Sequence, residues 1–167
     1  DASCHALTTL ATGGFSTQNA STGAFNSRTI EIITIIFMVL ASANFGLYYA
    51  AVKGKLNVIL KDPEFRFYIF LLTAGSVIII FSLLGSGQPI TTTTGIAEQA
   101  TLGEAVTQGV FTAVSIQTNT GFTTANYDTW PFAAKAVIVI MMFIGGCAGS
   151  TGGGIKVIRV WLALRIM

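Results

Sequence analysis

The residues of this chain that could act on anything are few, and they are oxygen donors rather than nucleophiles or nitrogen and sulfur ligands. The single histidine, His5, has no second His, Cys or carboxylate at ligand spacing, and Cys4 and Cys147 form neither a disulfide framework nor a zinc pattern. No residue set supports covalent or acid–base chemistry, so the chain is not read as an enzyme. What remains are two polar, glycine-bearing stretches between apolar segments, "ATGGFST" (residues 11–17) and "TNTGFTT" (residues 118–124). A third stretch, "GGCAGSTGGGIK" (residues 145–156), places six glycines in a run of ten residues. Backbone carbonyls in such loops can replace the water around a hard cation. Glycine permits backbone angles that a β-carbon opposes, so Gly14 and Gly121 can aim those carbonyls inward.

Composition sets where such loops would lie. The chain has 167 residues, 52% hydrophobic and 10% charged, with mean hydropathy +0.71. Soluble domains carry about 25% charged residues, so a lipid bilayer is the expected surrounding. A net charge of +2 is too small to imply a nucleic-acid partner. The chain opens on Asp1 without a basic segment followed by an apolar one, so no signal peptide is read, and it stops inside the apolar pattern "WLALRIM". Both ends are expected to be cuts in a longer protein.

Three membrane spans are expected, each long enough for a hydrocarbon core of about 30 Å. They are residues 29–52, about residues 65–85, and a third beginning near Trp130 that changes character at Gly145 and resumes as "IKVIRVWLALRIM". Lys53, Lys55, Lys61 and Arg66 lie between the first two, whereas residues 86–129 contain no Lys or Arg. The positive-inside bias puts residues 53–64 and the C-terminal end in the cytoplasm and residues 86–129 outside. Within that outer stretch, Leu102, Ala105, Val106, Gly109, Val110 and Ala113 follow a helix period. Thr101 is the expected N-cap, with Glu104 three residues on as in a capping box, and the short segment reads as a re-entrant helix. Arg28 and Glu31 are expected to snorkel at an interface, and Asp62-Pro63-Glu64 to cap the second span. Tyr127, Trp130 and Trp161 fit interfacial aromatic positions.

Slid along itself by 107 residues, the sequence overlays "HALTTLATGGFSTQNA" on "TAVSIQTNTGFTTANY". Ala6 meets Ala113, Gly14 meets Gly121, Phe15 meets Phe122, Thr17 meets Thr124 and Asn19 meets Asn126, while Arg28 falls over Lys135. The repeated unit is helix, re-entrant helix, polar glycine loop, helix. Three pieces are read: residues 1–53 as the end of one pore repeat, 54–64 as a cytoplasmic linker, and 65–167 as the next repeat. The two loops are expected to be neighbours at one depth, with Phe15 and Phe122 packing away from a shared path. Irregular backbone at membrane depth persists only where protein buries it or a wet cavity meets it.

Gly costs about 1 kcal/mol relative to Ala inside a helix, so the run Gly145, Gly146, Gly149, Gly152, Gly153, Gly154 should unwind the last inner helix. The matching segment of the first span, "VLASANFGLYY", is expected to stay helical. Ser150 and Thr151 are polar enough to line a wet path. A phosphate loop is a poor alternative, because no strand precedes the run and Ile155 separates Gly154 from Lys156. A packing face of small residues is the blander alternative.

With "ATGGFSTQNAS", "NFGLYY", "KDPEFR", "TNTGFTT" and above all "GGCAGSTGGGIKVIR", the chain resembles the TrkH/KtrB family, membrane subunits of bacterial potassium uptake systems, and its TrkH branch most. The resemblance runs almost end to end. It implies an all-α membrane protein of four helix–pore loop–helix repeats around one K+ pathway in the bacterial inner membrane. By that likeness this chain holds the second repeat from its pore helix on and the third through its inner helix. Thr12-Gly13-Gly14-Phe15 and Asn119-Thr120-Gly121-Phe122 take the place of the Thr-Val-Gly-Tyr of potassium-channel filters, and Ser16 and Thr123 stand where its final Gly would be. The resemblance further implies a gate loop at Gly145–Gly154, the remaining repeats of the same polypeptide, a homodimer, and a cytosolic nucleotide-binding regulatory subunit of TrkA or KtrA type. A non-conducting membrane scaffold and a phosphate-binding membrane enzyme are the alternatives.

Overall fold

A computed structural model describes residues 1–99 and 101–166, with backbone alone at Leu56 and Glu98. Among the described residues there are eight α-helices: α1 (Ala2–Leu10), α2 (Arg28–Ala41), α3 (Phe45–Val52), α4 (Leu56–Lys61), α5 (Pro63–Ser86), α6 (Leu102–Gln117), α7 (Phe132–Phe143) and α8 (Val157–Ile166). A short antiparallel pair, β1 (Ile90–Thr91) and β2 (Ala97–Glu98), sets Ile90 opposite Glu98 between α5 and α6.

Helix α5 is the one described helix that by itself is long and apolar enough to cross a bilayer, at 24 residues and a mean hydropathy of 2.4. Its ends are written into the sequence. Asp62 Oδ1 accepts the Phe65 N–H at 2.7 Å, Pro63 occupies the first turn, and Gly87 ends the helix with φ +61°. Glu64 does not join in the capping; its side chain is buried and turns elsewhere. At the start of α6, Thr101 Oγ1 accepts the Glu104 N–H at 3.3 Å, but the Glu104 carboxylate pairs with the Arg28 guanidinium instead of closing the capping box. Arg28 is thus tied across to α6, and Glu31 is buried.

The first expected span is not one helix. Residues 29–52 run as α2 and α3, bent by 95° at residues 42–44. The expectation that "VLASANFGLYY" stays helical is therefore wrong, and the cause is tertiary. Asn44 Oδ1 accepts the Gly46 N–H at 2.8 Å and so starts a new helix. The carbonyls of Ala41 and Ser42, freed at the break, accept N–H groups from Thr151 (3.4 Å) and Cys147 (3.0 Å). The last inner segment is interrupted too: α7 spans 12 residues, and α8 begins after residues 144–156. The two breaks pack on each other.

Helix α6 lies at the centre. One side meets Ile79 and Leu83 of α5 and Ala134, Ile138 and Met141 of α7. The other side meets Met38 of α2, Tyr68 and Leu72 of α5, and Phe122, Cys147 and Val157. Small residues let these helices close up. A β-carbon on Gly109 would lie 2.9 Å from Ile80 Cγ1, and one on Gly75 would lie 2.5 Å from Met141 Sδ. Gly109→Ala in the full-length protein should overpack this contact and destabilise it by about 1–3 kcal/mol, lowering the midpoint of thermal unfolding in detergent. Adding Ile80→Ala, which removes the opposing methylene, should recover part of that loss; simple additivity of the two changes would show that the contact is not the cause.

Candidate functional site

The two glycine loops have one backbone. Helix α1 ends at Leu10 and α6 at Gln117, 107 positions apart, followed by Ala11 (φ −82°) and Thr118 (φ −80°). The next residues, Thr12 and Asn119, are both left-handed at φ +48° and +58°, and two positions on Gly14 and Gly121 are at +66° and +83°. Hydrogen bonds repeat in step. Thr12 N–H donates to Thr9 O and Asn119 N–H to Ile116 O; Gly13 N–H donates to Thr8 O (2.8 Å) and Thr120 N–H to Ser115 O (3.0 Å). Thr8 Oγ1 donates to Phe15 O at 2.9 Å and Ser115 Oγ to Phe122 O at 2.7 Å, pinning the far end of each loop to its own helix. These two hydroxyls were not singled out from sequence, although the 107-residue overlay aligns them.

The loops also touch. A β-carbon on Gly14 would lie 1.9 Å from the Thr120 carbonyl oxygen. Beyond them, Gly23 N–H donates to Thr123 O (3.2 Å) and Thr123 N–H donates to Ser21 Oγ (3.2 Å). His5 joins the pair: its ring stacks on Phe122 with centroids 5.8 Å apart, and its Nε2 lies 2.9 Å from Ser16 Oγ. The two phenylalanines differ in environment. Phe122 is 2% exposed in the core beside α6, whereas Phe15 is 74% exposed. Among the described residues, no donor bonds the carbonyls of Thr12, Gly13 and Gly14, nor those of Asn119, Thr120 and Gly121. Each loop thus holds three consecutive carbonyls that no described donor occupies.

The glycine-rich run sits against the base of these loops. Its two ends form a parallel bridge between Ile144 and Ile155, with Gly145 N–H donating to Ile155 O at 2.9 Å and Ile155 N–H to Phe143 O at 3.1 Å. Gly145 and Gly146 are there for close approach. A β-carbon on Gly145 would lie 1.8 Å from Gly153 O and 2.8 Å from Asn119 Oδ1, and one on Gly146 would lie 2.1 Å from Ser42 Oγ. Gly152 is buried near Thr118 O, while Gly149, Gly153 and Gly154 are exposed and Ser150 is half-buried. Thr151 Oγ1 donates to Leu10 O (3.1 Å) and Ala41 O (3.0 Å), reaching the C-terminus of α1 and the end of α2 together. Phe45 N–H donates to Gly149 O at 3.1 Å. Gln117 Nε2 donates to Gly145 O at 3.3 Å, and Lys156 Nζ donates to Gly152 O. The Ser42–Asn44 break was not visible as a partner of this run, because nothing in "ASANF" is helix-breaking on its own.

The chain matches the family model described as cation transport protein, TrkH, over residues 1–167. It is 41% identical over 165 residues to a protein of Vibrio parahaemolyticus named Trk system potassium uptake protein TrkH, covering 97% of this chain and 32% of that protein. The protein of the same name in Escherichia coli is 38% identical over 170 residues, covering 99% of this chain and 32% of its own length. Among solved structures, the potassium transporter TrkH from Vibrio parahaemolyticus superposes with a TM-score of 0.85 at 38% identity, over 98% of this chain and 34% of that one. The chain therefore spans about a third of the relatives it resembles, and those relatives are named as uptake proteins rather than enzymes.

Equivalent glycines in the two loops carry unequal demands. Gly14→Ala meets both a left-handed backbone and the Thr120 carbonyl, whereas Gly121→Ala meets the backbone alone, since nothing described lies within 4 Å of its added carbon. In the full-length protein, Gly121→Ala should cost about 1–2 kcal/mol, and Gly14→Ala should cost more by forcing the second loop to move. Thermal midpoints in detergent check this; equal midpoints would mean the loops are not in contact.

Proposed function

The chain belongs to the TrkH family of cation transport proteins, and from that premise we propose that it forms two quarters of a K+ pathway across the bacterial inner membrane. In this reading the residue 12–15 and 119–122 loops are filter strands, residues 86–129 face outside, and residues 53–64 and the C-terminal end lie in the cytoplasm. The remaining repeats of the polypeptide would complete the ring. A second copy of the subunit and a cytosolic nucleotide-binding partner of TrkA or KtrA type would assemble with it.

One observation carries the reading: two runs of three donor-free carbonyls, 107 residues apart, share one backbone and press together at Gly14 and Thr120. A cation entering such a ring trades water oxygens for carbonyl oxygens. The hydroxyls of Thr8 and Ser115 fix where each run ends, so the carbonyls need not reorganise when the ion arrives. The α1 and α6 C-termini, with their partial negative charge, lie directly below. Residues 145–154 sit at that same level, where Thr151 touches Leu10 and a β-carbon on Gly152 would approach Thr118 O to 3.2 Å. A segment in that place would close the path beneath the filter, which is the gate reading.

Phosphate binding finds no support in the same loop. The N–H groups of Gly145, Cys147, Ser150 and Thr151 are spent on carbonyls, that of Ala148 on the Glu64 carboxylate, and Lys156 on Gly152 O. The Lys156 ammonium, which a phosphate loop would need for its ligand, is thus already engaged.

Gly121→Ser in the full-length protein should lower K+ selectivity over Na+ more than it lowers the amount of folded protein, as read by K+-limited growth and flux against protein level. Unchanged ion preference in a normally folded variant removes Gly121 from the filter. Deletion of residues 149–153 should raise basal Rb+ uptake in vesicles, normalised to folded protein. A well-folded deletion with unchanged or lower uptake would sink the gate reading while leaving the filter standing.

A further inference from the structure

Glu64 is a buried carboxylate that neither the filter nor the capping of α5 uses. Only 6% of it is exposed, and its Oε1 accepts the N–H of Ala148, inside the glycine-rich loop and 84 residues away. The contacts between the loop and the break at residues 42–44 are neutral: Cys147 N–H to Ser42 O, Thr151 N–H and Oγ1 to Ala41 O, and Phe45 N–H to Gly149 O. A hydrogen bond with an ionised acceptor is about twice as strong as a neutral one. Negative charge is also tolerated at this point, because Glu64 lies in the first turn of α5, where the N-terminal end of a helix favours an anion.

We infer that Glu64 is the positioning residue that holds the glycine-rich loop in its obstructing place, tying it to the first turn of α5. This rests on the reading of the loop as a gate. The loop has two charged holds, one at each end of its tip: the Glu64 carboxylate on Ala148 and the Lys156 ammonium on Gly152 O. Of these, Lys156 is part of the loop's own strand and moves with it, whereas Glu64 belongs to the long continuous helix. Opening the loop must therefore break the Glu64 contact, and any displacement of the α5 start is passed to Ala148 directly.

Cys147, fully buried next to Ala148, is a native reporter of loop position. In a full-length background whose other cysteines are replaced by serine, labelling of Cys147 by a small maleimide in native membranes should speed up on the order of tenfold in Glu64→Ala, which loses a hydrogen bond to a charged group. Glu64→Gln, whose amide oxygen still accepts, should give a smaller rise. Asp62→Ala is the control: it removes the cap of the same helix end and a second carboxylate charge near Cys147, while leaving the Glu64–Ala148 hydrogen bond in place. Equal acceleration in Asp62→Ala would reduce the effect to general loosening of α5 and overturn the inference, as would unchanged labelling in folded Glu64→Ala. If neither Glu64 variant is recovered folded, Glu64 is a folding residue and the inference also falls. Faster labelling with unchanged Rb+ uptake upholds Glu64 as the anchor but defeats the gate reading on which its function depends.

Discussion

A backbone that leaves its helix beside hydrocarbon must find its hydrogen bonds inside the protein, because lipid offers none. Two apolar segments of this chain break part-way, at residues 42–44 and 144–156, and the two breaks satisfy each other. Ser42 O takes the Cys147 N–H, Ala41 O takes Thr151, and Gly149 O takes the Phe45 N–H. Each break relies on the other for these hydrogen bonds. An inner segment that unwound alone would strand several polar groups, each costing about 1–3 kcal/mol if left unpaired.

Glycine makes that mutual docking possible for a steric reason as much as a conformational one. Gly145 and Gly146 leave no room for a β-carbon against Gly153 O and Ser42 Oγ. High glycine content thus does not by itself mean a loose loop. Close packing and mobility are compatible only if the second arrangement finds other partners, and the hydroxyls of Ser150 and Thr151 are suited to exchange backbone acceptors for water. Three buried oxygens, Ser42 Oγ, Gln117 Oε1 and Asn119 Oδ1, have no hydrogen-bond partner in the described arrangement. They lie along the loop's contact surface, so part of the polar capacity there is unspent.

The two loops above carry backbone strain of a matched kind. A left-handed asparagine at residue 119 is tolerable, but a left-handed threonine at residue 12 is not a conformation that a β-branched residue adopts by preference. Such strain persists only where the surroundings over-determine it. Here the surroundings are the helix C-terminus before it, the Thr8 hydroxyl on Phe15 O after it, and Thr120 pressed against Gly14. The same constraints that force the strain also hold six carbonyls in two like arrays.

Much of this was legible in the chain itself. Composition and charge asymmetry point to a membrane, and Asp62-Pro63 and Gly87 mark the ends of α5 through local capping chemistry. Thr101 starts α6 in the same way. Self-overlay at 107 residues aligns Gly14 with Gly121 and Thr8 with Ser115, since one backbone path calls for like residues at like positions. What sequence could not decide was anything depending on a partner distant along the chain. The 95° bend at residues 42–44 arises because residues 147–151 supply the hydrogen bonds that a helix would otherwise make. Glu104 fits a capping box locally yet turns to Arg28, and Glu64 fits a helix start yet turns to Ala148. Propensity and capping act over three or four residues and can be read directly. A choice between equally good local and distant partners is settled only when packing around α6 brings the distant one within reach.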